Sequence, residues 1–265
     1  MIVVKIGGGD GIDYDAILSD IASSGSVSVI VHGGNAEHRR LSQRLGKEQR
    51  MLTFASGHVS RYTDRETMDI FEMAYCGKIN KMLVEKLHAL GVNAVGLSGL
   101  DGALLRGKRK KELIAIVDGK RRVVRDDLSG KIETVNAAFL TLLLDHGFLP
   151  VISPPALSEE NEAINVDGDR AAAMIAASLG ADTLIILSNV PGLLRDPRDE
   201  STLIRQAAGI DEIERFAEGR MKIKLLGAKE ALEMGVRRVV LADARRERPV
   251  TLALEGQGTV ITCKR

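Results

Sequence analysis

Tryptophan is absent from this sequence, and aromatic residues make up only 3% of it. Base-stacking platforms and aromatic carbohydrate clefts are therefore not expected. The two cysteines, Cys76 and Cys263, form no CxxC pair and suggest no metal cluster, so reduced thiols are the simplest reading. No apolar run approaches the roughly 18 residues of a membrane-spanning helix. The opening residues lack the basic-then-apolar order of a signal peptide, so a cytoplasmic location is the expectation. Net charge is +1 over 265 residues, which gives no global argument for nucleic acid or an anionic membrane. What remains is an ordinary soluble composition, 45% apolar and 28% charged, long enough for one sizeable domain or two packed lobes.

Strand-like and helix-like runs alternate. Residues 2–6, 27–34, 92–98, 148–153, 183–188 and 237–242 are apolar and strand-like. Residues 14–23, 35–46, 134–146, 168–180 and 222–234 carry helical spacing between them. Continuous apolar strands separated by helices predict an α/β fold with a mostly parallel sheet covered on both faces. Ligands in such folds gather at the carboxyl ends of the strands. Glycine-bearing loops at 7–11, 33–34, 96–102 and 188–192 fall there.

Two stretches depart from that rhythm. Residues 64–90 read as one long helix, with Asp64 as N-cap and Gly91 as the stop. Met68, Phe71, Tyr75, Ile79, Met82 and Leu83 form its apolar stripe, suited to a core or to a dimer-facing helix. Residues 106–125 read as a hairpin turning at Asp118-Gly119. They hold nine Lys or Arg against Glu112 and Asp118, a local charge of +7 (9 − 2). A solvated hairpin explains this, and so does a surface facing something acidic; an acidic protein is at least as good a candidate as nucleic acid.

Common nucleotide and hydrolase motifs fail. None of the Gly-Lys pairs at 46–47, 77–78, 107–108, 119–120 and 130–131 is followed by Ser or Thr, so there is no Walker A motif. GxGxxG fails at Ile12, GxSxG fails at Leu100, and HExxH is absent. Four features survive. Lys5 ends a strand beside Gly7 and Gly8, where a point charge and backbone amides suit a phosphoryl group, or a surface lysine. Gly33 and Gly34 of "VHGG" let amides approach a polar ligand, or make a plain turn. In "NEAINVDGDR", Asn165 and Asp169 would share a face if both sat on the first helical turn, while capping by Asp167 or Asp169 is the plainer account. In "GRMKIK", Lys222 and Lys224 near a helix start would make a phosphate site, or a solvated pair.

The ordered set "KIGG … HGG … SRYTD … NVDGD … LSNVPGLL … GRMKIK" resembles the amino acid kinase family, in its acetylglutamate kinase branch, from Val3 to about Val260. "IFEMAYCGKINK", "GLSGLDG" and "PPALSEENEAIN" look most like members that act on carrier-bound aminoadipate. The resemblance implies a three-layer αβα sandwich and a single domain over 1–265. Its lobes would be about 1–170 for substrate and dimerisation and 171–265 for ATP. It implies phosphorylation of a side-chain carboxylate, with ATP and Mg²⁺ and no protein ligand to the metal. Lys5 and Lys224 would neutralise the phosphoryl group and Asp169 would orient them. Gly33, Gly34, Arg61 and Asn165 would bind substrate. Gly7, Gly8, Asn189, Val190, Gly192, Leu193, Leu194 and Met221 would bind the nucleotide. A small acidic amino-group carrier protein would dock, with the basic hairpin 106–125 as its site. A homodimer is implied, with no membrane or nucleic acid. Two departures from the branch, Asn35 where a third glycine usually follows "HGG" and Gly168 where Ala is common, put free N-acetylglutamate in doubt as substrate. Carrier-bound glutamate, the ordinary N-acetylglutamate reaction of arginine synthesis, and a non-catalytic amino-acid-sensing module are the alternatives. Carbamate kinase, aspartokinase and uridylate kinase fit the motifs less well.

Overall fold

The computed structural model describes residues 1–54, 59–117 and 119–263. The chain runs β1 (Ile2–Ile6), α1 (Tyr14–Ser24), β2 (Val29–His32), α2 (Asn35–Arg44), β3 (Met51–Phe54), β4 (Val59–Arg61), α3 (Arg65–Glu72), α4 (Asn80–Ala89) and β5 (Ala94–Ser98). It continues through β6 (Leu105–Arg109), β7 (Leu113–Val117), β8 (Lys120–Val124), β9 (Gly130–Val135), α5 (Ala137–Asp145), β10 (Leu149–Ser153), β11 (Pro155–Leu157) and β12 (Ala163–Asn165). The remainder is α6 (Gly168–Ser178), β13 (Thr183–Ser188), β14 (Gln206–Ala208), α7 (Arg220–Glu233), β15 (Arg238–Asp243), α8 (Pro249–Leu254) and β16 (Thr259–Thr262). No helix among the described residues is long and apolar enough to cross a membrane.

An eight-stranded sheet in the order β14-β16-β15-β13-β1-β2-β10-β5 forms the middle layer. The six strands expected from the sequence are its contiguous parallel block, β15 to β5. β16 joins antiparallel to β15 at the side. Alternation along β1 sorts its side chains between two cores. Val4 and Ile6 join Ile17, Leu18, Leu83 and Val250 on one face. Val3 joins Ala171, Ala172, Ile175 and Leu225 on the other. Lys5 therefore faces α6 and α7 from an interior strand of the sheet.

Two helical readings change. Residues 65–89 are helical throughout, capped by Asp64 accepting from Thr67 N, but Met73–Ile79 is a π-helical turn between α3 and α4. The expected helix 134–146 begins only at Ala137, because β9 extends to Val135.

The basic stretch is also divided. Residues 105–109 form β6, in a four-stranded sheet ordered β12-β11-β6-β9. Only β7 and β8 make the hairpin, which joins β3 and β4 in a second small sheet ordered β4-β3-β7-β8. Asp118 lies outside the described residues, and Gly119 takes the left-handed φ of +72° that such a turn requires.

Candidate active site

Three buried charged groups meet where the sheet faces α6. Lys5 Nζ lies 2.7 Å from Asp169 Oδ1, and Lys224 Nζ lies 3.1 Å from Asp169 Oδ2. Their side chains are 8%, 8% and 13% exposed for Lys5, Asp169 and Lys224, so one carboxylate is shared by two desolvated ammonium groups. Burial alone would push the Asp169 carboxyl up; the two lysines outweigh it and hold it down at about 2. Burial pushes the Lys5 ammonium down, but Asp169 outweighs this and its pKa is raised. Burial and repulsion from Lys5 lower that of Lys224. The three groups alone sum to one positive charge, in a place where charge interacts strongly, and the nearby Asp167 carboxyl, its pKa raised mainly by burial, also attracts both lysines.

Local sequence explains this convergence. Asp167 caps α6 by accepting from the N–H groups of Asp169 and Arg170, which starts the helix at Gly168 and sets Asp169 in its first turn. α6 presents a run of small residues, and Gly227 of α7 packs against its start. A Cβ on Gly227 would lie 3.2 Å from the Asp169 carbonyl, so glycine lets the helices approach closely enough for Lys224 to reach Asp169. Lys222 is exposed and forms no part of the cluster.

Two glycine loops close over this point. Gly7 N donates to Leu187 O at 3.0 Å, and Gly33 N donates to Ile6 O at 2.9 Å. A Cβ on Gly8 would sit 2.0 Å from Gly34 N, so the loops after β1 and β2 touch in a way only glycine permits. Ser188 Oγ, beside Gly7 at the end of β13, is buried without a hydrogen-bond partner among the described residues. This cradle of small residues, two buried lysines and an unsatisfied hydroxyl fits the phosphates of a nucleotide. Asn189 is exposed and Val190 half-buried, so they are the accessible part of the following loop. Gly192 turns against Thr259, and the side chains of Leu193 and Leu194 are core, 1% and 6% exposed. Met221 packs partly against the same core. Among the described residues no group of three His, Cys, Asp or Glu is arranged to hold a metal ion.

The far end of the site is built around Arg61. Its Nη2 donates to Asn35 Oδ1 at 2.9 Å, and Tyr75 Oη donates to the same oxygen at 2.9 Å. Arg61 Nε is buried with no hydrogen-bond partner among the described residues. Burial lowers its pKa from the ordinary arginine value, and Arg220 and Arg39 add repulsion. Asn165 lies close by, its Nδ2 donating to Thr63 Oγ1 at 3.1 Å. Asn165 ends β12 rather than sitting on α6, so it and Asp169 do not share a helical face. The Pro155–Asn165 pairing with β11 keeps that segment extended until Asp167 caps the helix.

Residues not singled out from the sequence support the loops. His32 is fully buried, and Asn80 Nδ2 donates to its Nε2 at 3.1 Å. Its Nδ1 therefore carries the proton and donates to Gly33 O at 3.0 Å. Burial, with the charge of Lys5, lowers the His32 pKa to about 4 and keeps the ring neutral. A lone Asn in an apolar helical stripe was the available signal for this network.

Register ties the hairpin to Arg61. Met51 pairs with Arg61, Thr53 with both Val59 and Ile116, Ile116 with Arg121, and Ile114 with Val123. Directly paired residues point to the same side of a sheet. Arg61, Met51, Val59, Ile116, Ile114, Arg121 and Val123 thus share one face, and the five apolar members are 37–54% exposed. Among the described residues Lys108, Lys110, Lys120, Arg121 and Arg122 form no ion pair, whereas Arg109, Lys111 and Arg125 pair with Glu162, Glu160 and Glu112.

A lysine pair clamped on one buried aspartate beside two touching glycine loops defines a phosphoryl-handling α/β protein. The chain matches the model of the amino acid kinase family over residues 1–243 and belongs to that family. It is 54% identical to the LysW-aminoadipate kinase of Deinococcus radiodurans, over 99% of this chain and 91% of that one. It is 52% identical to the LysW-aminoadipate kinase of Thermus thermophilus, over 98% and 100% of the two chains. Among solved structures, the N-acetylglutamate synthase of Neisseria gonorrhoeae superposes with a TM-score of 0.77 at 24% identity, over 100% of this chain. The chain spans 59% of that protein's length, and the likeness is one of fold.

Proposed function

We propose that this protein transfers the γ-phosphoryl group of ATP to the side-chain carboxylate of 2-aminoadipate held on a LysW-type carrier protein. The carrying observation is the charge arrangement. Two buried lysines share one aspartate, while Arg61, 26 residues beyond its acceptor Asn35, holds a desolvated charge with no acidic partner among the described residues. Transfer between two anions is limited by repulsion, so positioning and charge neutralisation carry the catalysis. Lys5 and Lys224 would take the transferring group between them, with Asp169 fixing their ammonium groups. Arg61 and Asn165 would hold the substrate's α-carboxylate end, and the loop of Gly33 and Gly34 its reacting end, with Gly33, whose own N–H is held by Ile6 O, allowing close approach. Gly7, Gly8, Asn189, Val190, Gly192, Leu193, Leu194 and Met221 would hold the nucleotide, with Leu193 and Leu194 contributing backbone. Mg²⁺ would ride on the ATP oxygens.

We read the chain as two lobes, about 1–170 and 171–265, in a cytoplasmic homodimer. The names of the relatives supply the carrier, and the face running from Arg61 to Arg121 is the surface on which an acidic carrier would lie. Reversing charge at Lys110, Arg121 and Arg122 is expected to raise the KM for carrier-linked substrate about tenfold at low salt and less at high salt. Unchanged turnover at low salt would remove the docking role.

The test of the reaction is MgATP-dependent acyl-phosphate formation, trapped with hydroxylamine. The substrates are free N-acetylglutamate, free N-acetylaminoadipate, and carrier-linked glutamate and aminoadipate. Activity confined to the linked pair is expected, and their ratio assigns lysine or arginine synthesis. Strong activity on free N-acetylglutamate would overturn the carrier reading.

A further inference from the structure

The way Arg61 is held differs from the way the lysines are held. Its acceptor, Asn35 Oδ1, is neutral, and that oxygen receives both the Arg61 Nη2 and the Tyr75 Oη donors at 2.9 Å. Two donors fill the two lone-pair positions of an amide oxygen. Asn35 is the first residue of α2, directly after Gly34, so its backbone is fixed by the glycine loop. Tyr75 is fixed too. Its ring stacks on Phe71 with centroids 3.9 Å apart, and a Cβ on Gly34 would lie 2.9 Å from it. It sits in the π-helical turn, and its side chain is buried. The amide is therefore locked from one side and orients a guanidinium from the other, without neutralising it. Arg61 has no ion pair among the described residues, and its buried Nε donor is unused.

We infer that Asn35 is a positioning and specificity residue for the carboxylate substrate. It aims Arg61 through a neutral acceptor, Tyr75 locks that acceptor, and its neutrality leaves the guanidinium's charge for the ligand. This rests on the reading of Arg61 as the substrate's carboxylate partner. An aspartate at the same place would keep both hydrogen bonds and strengthen them, yet would satisfy Arg61 internally and repel an incoming carboxylate. A residue with a purely structural role would tolerate that change, so the isosteric variant separates the two roles.

The experiment measures kcat, both KM values and Tm for Asn35→Asp, Asn35→Ala, Tyr75→Phe and the Asn35→Ala/Tyr75→Phe pair. The carboxylate used is whichever of the four substrates the wild-type enzyme phosphorylates. Asn35→Asp is expected to raise the carboxylate KM about 100-fold, with Tm unchanged or higher and the ATP KM within about threefold. Asn35→Ala is expected to raise it about tenfold, and Tyr75→Phe about threefold. Tyr75→Phe should add nothing in the Asn35→Ala background, because its effect passes through the amide. A wild-type carboxylate KM in Asn35→Asp, or equal rises in both KM values, would overturn the inference. Should Asn35→Asp fail to fold, Asn35→Ala and the double variant decide the matter by the same KM split. A wild-type enzyme that acts on free N-acetylglutamate alone would overturn the carrier reading and leave this test intact. One that acts on none of the four overturns both.

Discussion

The two ends of the site treat buried positive charge in opposite ways. Lys5 and Lys224 are given a counter-ion by the fold, within 3.1 Å, although a single carboxylate serves both. Arg61 is given an amide oxygen and a tyrosine neighbour, and no acid among the described residues. The difference follows from what each end is proposed to meet. A phosphoryl group is present only in passing, so the lysines need a permanent partner that fixes them between turnovers. A substrate carboxylate stays bound through the reaction, so it can itself be the partner that Arg61 lacks. A desolvated cation without a partner costs folding energy and draws an anionic ligand.

Removing the shared counter-ion is the strongest way to break that comparison. Asp169→Asn leaves two buried ammonium groups facing a neutral amide. A fall in kcat of roughly 10³-fold is expected, with Lys224 losing its proton more readily. ATP affinity measured by calorimetry should change far less than kcat. A kcat within about tenfold of wild type would remove Asp169 from the clamp.

At the other end, Arg61→Ala should act on binding. The expected outcome is a rise of about 100-fold in the carboxylate KM, with kcat and the ATP KM changed only a few-fold. Arg61→Lys should recover little, because a point charge cannot copy the fork that Asn35 aligns. Equal losses in kcat and kcat/KM would make Arg61 a transition-state group, and the contrast between the two ends would fail.

The clamp was legible in the sequence through the resemblance: local signals marked a lysine at a strand end before glycines, but left Asp167 level with Asp169 and Lys222 level with Lys224 until the motif set chose between them. The Arg61 end was less so. β3 and β4 are only four and three residues long, and the second partner of β3, β7, lies more than 50 residues away in sequence. No local period reveals such a pairing, nor that Arg61 and Arg121 share a face. The same limit applies to Asn165. A three-residue strand beside a capped helix looks like the helix's own start until its pairing with β11 is seen. The π-helical turn left the apolar stripe of 64–90 intact, so periodicity gave no warning of it.

His32 and His38 connect the two ends, one behind the glycine loop and one in α2, and they make the site sensitive to acid. Both are held neutral, their pKa values lowered to about 4 chiefly by burial. The folded state then binds fewer protons than the unfolded state between the ordinary histidine value and about 4. Stability is full above that window and falls as pH drops through it, by on the order of 3 kcal/mol for His32. Urea midpoints at pH 7.5 and 4.5 should show the loss, and His38→Gln should shrink it. A flat profile would mean that neither ring is buried neutral.

The mildest test concerns Gly168, at the first position of α6 beside the clamp. Glycine at a helical position costs backbone entropy, and here its conformation is an ordinary one that any residue adopts. A Cβ would lie 3.5 Å from Pro154 and 3.6 Å from Lys5 Cε, which is normal contact. Geometry therefore does not require glycine, and its presence is no evidence about substrate. Gly168→Ala is expected to stabilise the protein by about 0.5–1 kcal/mol and to leave the preference between free and carrier-linked substrates unchanged. A shift of preference toward free N-acetylglutamate would instead show that the small gap between this backbone and Lys5 takes part in choosing the substrate, and would extend specificity from the Arg61 end to the clamp itself.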